Sequence, residues 1–180
     1  MEVRLERYDG AGECREEIER VYLCSFPEEE RRPQGEWWDF IGSRECPLEL
    51  MRIVGPDEAT VGFISFWEFP GFVYVEHFAV DSRYRCGGTG SAALRAFLDQ
   101  TALPVVLEVE RPGANDMADR RIGFYSRLGF RPEEEFDYIQ PPYAPGLSSV
   151  SLMLMTFRRG AVSLDDIAAT LHREVYGVGR

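Results

Sequence analysis

Along the 180-residue chain the spacing of apolar and polar positions changes rhythm near the middle. Residues 1–8 alternate as a strand does, and the next run places Cys14, Ile18, Val21 and Tyr22 on one helical face. Phe26-Pro27-Glu28-Glu29-Glu30-Arg31-Arg32-Pro33 breaks that helix, and a short aromatic helix with Trp37, Trp38 and Ile41 follows. Three strand-like runs near 48–54, 59–68 and 72–80 are divided by Gly55-Pro56-Asp57 and Pro70-Gly71, separators short enough for antiparallel hairpins. After Val80, helices alternate with strands. Gly90 opens a helix with Leu94, Phe97 and Leu98 inward, residues 104–110 form a strand, and a helix with Ala118, Ile122 and Tyr125 on one face ends at Gly129. That order implies a parallel strand pair joined by a crossover helix. Residues 130–139 and 150–157 read as two last strands, and Ser163 caps a final helix with Leu164, Ile167, Ala168, Leu171 and Val175 on one stripe. The predicted class is α/β, with a central mixed, mostly antiparallel sheet and helices on both faces.

Charge and composition narrow the partners. A formal net charge of -11 argues against nucleic acid, whose binding needs clustered Lys and Arg. It suits a cationic substrate, although an acidic surface also serves solubility alone. No run approaches the roughly eighteen apolar residues of a membrane helix, and Met1-Glu2-Val3-Arg4 begins no secretory signal. The expectation is a cytoplasmic protein with no membrane partner. Cys14, Cys24, Cys46 and Cys86 lack metal-ligand spacing, and His77 and His172 offer no cluster, so neither a metal site nor disulfides are expected.

The densest chemical signal is Val80-Asp81-Ser82-Arg83-Tyr84-Arg85-Cys86-Gly87-Gly88-Thr89-Gly90-Ser91. Glycines ahead of a helix let backbone N–H groups approach an anion, and the helix N-terminus adds partial positive charge. With Arg83 and Arg85 beside it, a phosphorylated ligand is the natural guest; a turn without a ligand is the plain alternative. A mononucleotide loop would need Lys-Ser/Thr after its last glycine, where Ser91-Ala92 stands. Gly88-x-Gly90-x-x-Ala93, with Glu108 further on, does satisfy a dinucleotide fingerprint. Against NAD, residues 81–87 separate the strand from the first fingerprint glycine, and the preceding hairpins do not begin a doubly wound sheet.

The same residues resemble the acetyl-CoA loop of the GNAT acetyltransferases: Arg85, Gly88 and Gly90 match its Arg-x-x-Gly-x-Gly pattern, and the run from Glu76 to Asp81 looks like the family's fourth strand. Phe124-Tyr125-Ser126-Arg127-Leu128-Gly129-Phe130 resembles the second hallmark, an aromatic pair, a short gap and Gly-Phe. The likeness covers residues 1–158 as one acetyltransferase domain, with 159–180 as a C-terminal helix packed on or extending it. Phe26-Pro27-x-x-Glu30-Arg31 and Tyr138-Ile139-Gln140-Pro141-Pro142-Tyr143 look like a poorly characterised bacterial branch. One departure stands out: seven residues before Tyr125, where the family often has Asn, this chain has Ala118, so no cofactor contact is carried over from there.

The resemblance implies an N-acetyltransferase using acetyl-CoA as donor and a small-molecule or peptide primary amine as acceptor, by direct attack in a ternary complex. Phe78, Ala79 and Val80 would pair with the pantetheine arm, a strand N–H would polarise the thioester oxygen, and Arg85, Cys86, Gly87, Gly88, Thr89, Gly90 and Ser91 would hold the pyrophosphate. Tyr125 would touch the cofactor and protonate the leaving thiolate, with a core aromatic as the alternative reading. Glu76 is the first candidate base. Glu68, Glu108 and Glu110 join Trp37, Trp38, Tyr138 and Tyr143 as the expected acceptor wall; a solvated strand face for the glutamates and core packing for the tryptophans are the alternatives. His77 reads as a sheet histidine rather than a base, and Cys86 as a variable loop position rather than a nucleophile. A non-catalytic acetyl-CoA sensor of the same fold, a longer acyl donor and a homodimer all stay open.

Overall fold

The computed structural model describes residues 2–43 and 46–178. They fall into two compact units that interleave along the chain, the first made of Met1–Pro27, Gln34–Glu68 and Tyr74–Ala102. It holds strands β1 (Arg4–Arg7) and β2 (Leu48–Val54), most of β3 (Thr60–Phe69) and β4 (Phe72–Val80), and helices α1 (Arg15–Ser25), α2 (Gln34–Gly42) and α3 (Thr89–Gln100). β1 and β2 pair antiparallel from Arg4↔Val54 to Arg7↔Met51, and β2 pairs antiparallel with β3 from Leu48↔Trp67. β4 lies beside β3 so closely that a side chain at Gly62 would meet the Ala79 carbonyl oxygen at 2.3 Å.

Strand alternation divides the core of this unit between two faces. Phe63 points to α1 and α2, where its ring meets Tyr22 at 6.0 Å and Trp37 at 5.3 Å; Phe66 points the other way, to Phe97 of α3 at 5.0 Å. Trp37 lies flat on Tyr22, with centroids 4.0 Å apart. Burying each such side chain stabilises the fold by roughly 1.5–3 kcal/mol. The tertiary stack comes with a cost, because the buried Trp37 indole N–H has no hydrogen-bond partner among the described residues.

The second unit is Glu28–Pro33, Phe69–Val73 and Leu103–Arg180. It contains β5 (Val105–Glu110), α4 (Asp116–Arg127), β6 (Arg131–Pro132), β7 (Tyr138–Gln140), β8 (Val150–Phe157) and α5 (Leu164–Thr170). β5 runs antiparallel to β8 from Val105↔Phe157 to Glu110↔Leu152, while β6 and β7 both pair antiparallel with β8, through Arg131↔Thr156 and Tyr138↔Leu152. The single strand expected over 130–139 is thus two short ones. The pairing with β8 ends one residue past Pro132, at Glu133 N to Leu154 O (3.0 Å), because the acidic run then turns, with Phe136 N bonded to Glu133 O at 3.1 Å.

α5 starts where its sequence signal lies: Ser163 Oγ accepts the Asp166 N–H at 3.1 Å. Its predicted stripe is the buried one, with Ile167, Leu171 and Val175 inside. The helix then widens into a π-turn over Leu171–Val175, closed by Tyr176 N to Leu171 O at 3.1 Å. Among the described residues no helix is long and apolar enough to cross a membrane.

Candidate functional site

The glycine loop leaves β4 through Asp81, whose N–H still bonds Val61 O at 2.9 Å. The Asp81 side chain is buried, accepts the Arg83 backbone N–H at 3.0 Å and so caps the 3-10 turn Ser82–Tyr84. Hydrogen bonds from the Arg83 guanidinium, and then from Arg20, hold its carboxyl well below the usual carboxylate range. Arg85, expected near the phosphates, turns back on the protein: Nε donates to Val80 O at 2.8 Å and Nη2 to Ser25 Oγ at 3.3 Å. Thr89 Oγ1 donates to Tyr84 O at 2.8 Å, fixing the other end of the loop.

Between these braces Cys86, Gly87 and Gly88 stand exposed. Cys86 and Gly88 have φ of +66° and +80°, a region that Gly alone occupies without strain. α3 begins at Thr89 with no side-chain cap, and its first backbone bond is Ala92 N to Gly88 O at 2.9 Å. The amides of Thr89, Gly90 and Ser91 precede that bond and have no acceptor within the helix. A Cβ at Gly87 would meet nothing within 4 Å, and Gly87 is not among the positive-φ residues. Neither strain nor crowding accounts for glycine there. The bare backbone and the uncapped amides after it leave room for a close-lying anion, so the residues present fit a pyrophosphate-bearing cofactor.

The remaining expected residues of the first unit are mostly enclosed. Phe78 is half-buried, Ala79 and Val80 are buried, and Glu68 is exposed. Glu76 accepts the Trp67 indole N–H at 2.9 Å. Trp37 and Trp38 are core side chains: α2 turns both inward, Trp37 onto Tyr22, and Trp38 edge-on to Tyr8 with its N–H on Glu19 Oε1 at 2.9 Å. His77 is buried between the rings of Tyr22 and Phe26, with Nδ1 3.4 Å from Ser65 Oγ.

In the second unit the aromatic-gap-Gly-Phe signature is a helix stop. Asn115 caps the start of α4 by accepting Ala118 N–H at 2.9 Å, and Gly129 ends it at φ +97°, with Phe130 N returning to Tyr125 O at 3.1 Å. Tyr125 is 7% exposed, wedged between Phe124 and Phe130 at 5.2 and 5.5 Å. Burial, with a lesser push from Glu110 and against Arg121, moves its phenol up to about 12, so it keeps its proton at neutral pH. The hydroxyl makes no hydrogen bond among the described residues. Ala118, at the position often Asn in the family, is a fully buried core residue.

On β5, Glu110 is bridged by Arg121, and Glu30 is pushed upward by burial and then by the charge of Glu110. Glu108 is held by two phenols: Tyr138 donates to Oε1, and Tyr176 donates to Oε2 at 2.8 Å. Burial, then the Glu108 charge and bond, drives the Tyr138 phenol far above its ordinary value. Tyr143 lies against Tyr176 at 4.9 Å and under the Arg32 guanidinium at 5.0 Å. Sequence reasoning passed over three of these groups. Asp81 had a local signal, an acidic residue two before an arginine at a strand end. Arg32 and Tyr176 had none, since their partners lie far along the chain. Among the described residues no group of His, Cys, Asp and Glu could hold a metal ion.

The sequence pattern of the Acetyltransferase (GNAT) family matches residues 13–130. A solved structure of a protein assigned to that family from Bacteroides thetaiotaomicron is 35% identical, with a TM-score of 0.86 over 97% of this chain and 99% of that one. A GNAT family acetyltransferase from Elizabethkingia anophelis, solved with acetyl-CoA bound, shares the fold at 11% identity, with a TM-score of 0.58 over 87% of this chain and 98% of that one. PaiA N-acetyltransferase from Thermoplasma acidophilum, solved with coenzyme A, does so at 16% identity and a TM-score of 0.58, over 88% and 100%. No curated protein sequence matches the chain. Its class is therefore that of a mixed α/β protein with the GNAT fold. The chain belongs to the GNAT acetyltransferase family.

Proposed function

We propose that the chain is a cytoplasmic N-acetyltransferase that transfers acetyl from acetyl-CoA to a primary amine of a small molecule or peptide, in a ternary complex. The observation that carries this reading is the Gly87-Gly88 pair, bare of side chains where neither strain nor packing requires Gly87, and set before uncapped helix amides. When bound, acetyl-CoA supplies an activated acetyl thioester. The amides of residues 87–91 would take its pyrophosphate, and the backbone of Phe78, Ala79 and Val80 its pantetheine arm. Asp81, Arg85 and Thr89 hold the loop in shape for that task. Tyr125 keeps a proton at neutral pH, and its hydroxyl makes no hydrogen bond among the described residues, which suits it to protonate a departing thiolate.

Glu76, oriented by Trp67, is assigned the proton of the incoming amine. Glu108 and Glu110, with Tyr138 and Tyr143, are assigned the acceptor itself, and Glu68 an outer position because it is exposed. The test is incubation with acetyl-CoA and a panel of primary amines and peptides, following thiol release and the amide product by mass spectrometry. Acetylated product is expected with at least one amine. Binding of acetyl-CoA without transfer to any amine would leave a non-catalytic sensor, and no binding at all would overturn the proposal.

A further inference from the structure

Each oxygen of the Glu108 carboxylate accepts a bond from a tyrosine, and the two phenols come from different parts of the chain. Tyr138 belongs to β7 and is 1% exposed; Tyr176 follows the π-turn after α5. Such wide turns replace the i→i−4 bond by i→i−5 and shift the phase of the side chains that follow. Here the wide turn leaves Val175 in the core and lets the Tyr176 hydroxyl reach β5. The end of this segment is tied down independently. Arg32, itself buried, donates to Val175 O at 2.7 Å, and His172 Nε2 lies 3.0 Å from Ile139 O.

We propose that Tyr176 is a positioning residue of the acceptor site: with Tyr138 it pins the Glu108 carboxylate as the hydrogen-bond acceptor for the incoming amine. The inference rests on the amine acetyltransferase reading and adds to it a segment beyond residues 13–130, where the family pattern ends. The chemistry follows from what each group can give. A carboxylate only accepts, and a phenol has one O–H, which both tyrosines direct at Glu108. Two bonds from two sides fix the plane of the carboxylate, and the trio has acceptor character to offer a ligand. An ammonium group, donor-only, is the complement.

The test uses the full chain and one amine that the wild type acetylates. Tyr176→Phe should raise KM for the amine about tenfold, the loss of one charge-assisted bond acting through Glu108, and leave KM for acetyl-CoA unchanged. Glu108→Gln should raise the amine KM further, since its NH2 opposes a donor. The double variant should be no worse than Glu108→Gln alone, because Tyr176 acts only through that carboxylate. Tyr138→Phe supplies the same comparison if Glu108→Gln does not fold. An unchanged amine KM in Tyr176→Phe would overturn the inference. So would additive losses in the double variant, or equal losses for amine and acetyl-CoA, which mark a structural role alone. A wild type that acetylates no amine would instead defeat the underlying function, and this inference with it.

Discussion

Two neighbouring glycines allow the proposed cradle to be tested apart from the stability of the fold. Gly88 has φ +80°, whereas Gly87 has no such constraint and open space where a Cβ would stand. Gly88→Ala should therefore destabilise the protein by about 1–2 kcal/mol, the cost of a side chain in the left-handed region. Gly87→Val meets neither penalty and should change stability by no more than about 0.5 kcal/mol. Acetyl-CoA at a hundredfold excess over its dissociation constant stabilises the folded state by about 2.7 kcal/mol. With an unfolding entropy of about 2.1 cal/mol/K per residue over 180 residues, roughly 0.4 kcal/mol/K, that is a rise of about 7 °C in Tm. In a thermal melt, wild type should show this rise. Gly87→Val should melt with unliganded wild type and show none of it, because its side chain stands where the anion would lie. A full ligand-induced rise in Gly87→Val would refute the reasoning, since a loop glycine that the protein's own packing does not explain would then have no ligand to explain it.

Tyr125→Phe should keep its place between Phe124 and Phe130 and bind acetyl-CoA normally, yet slow single-turnover transfer by about 10²–10⁴-fold; wild-type rates would make Tyr125 a core residue only. For Asp81 the arginine bonds depress the folded-state value below the unfolded one, so its stabilisation is present above the unfolded value and is lost as pH falls through that range. Asp81→Asn should cost about 1–3 kcal/mol at neutral pH and remove that part of the acid dependence, read as urea midpoints between pH 7 and 3. Equal pH dependence in both proteins would show the ion pairs to be energetically idle.

Much of the fold was legible because its signals are local. β2, β4 and β8 lie where the runs 48–54, 72–80 and 150–157 placed them, since glycine, proline and charge bound each apolar run within a few residues. Ser163 and Gly129 act as the helix start and stop that their types suggest, through bonds to residues three to five positions away. The glycine loop was equally plain, because Gly87, Gly88 and Gly90 fall within four residues at the start of a helix.

What the chain could not disclose one residue at a time was which side of an element would be covered, and by what. An aromatic pair such as Trp37-Trp38 has the same pattern whether it walls a cleft or fills a core; only packing on Tyr22, Phe63 and Tyr8 decides for the core. The expected strand over 130–139 is cut by the turn that Phe136 N closes on Glu133 O, just after Glu133 N makes its bond to Leu154 O of β8. Glu108 alternates like any exposed strand residue, yet its carboxylate is bound by phenols 30 and 68 positions away. Sequence periodicity reports which residues share a face of their own element. The chemistry of a carboxylate depends on the donors that other elements bring to it, and those are chosen when the chain closes on itself.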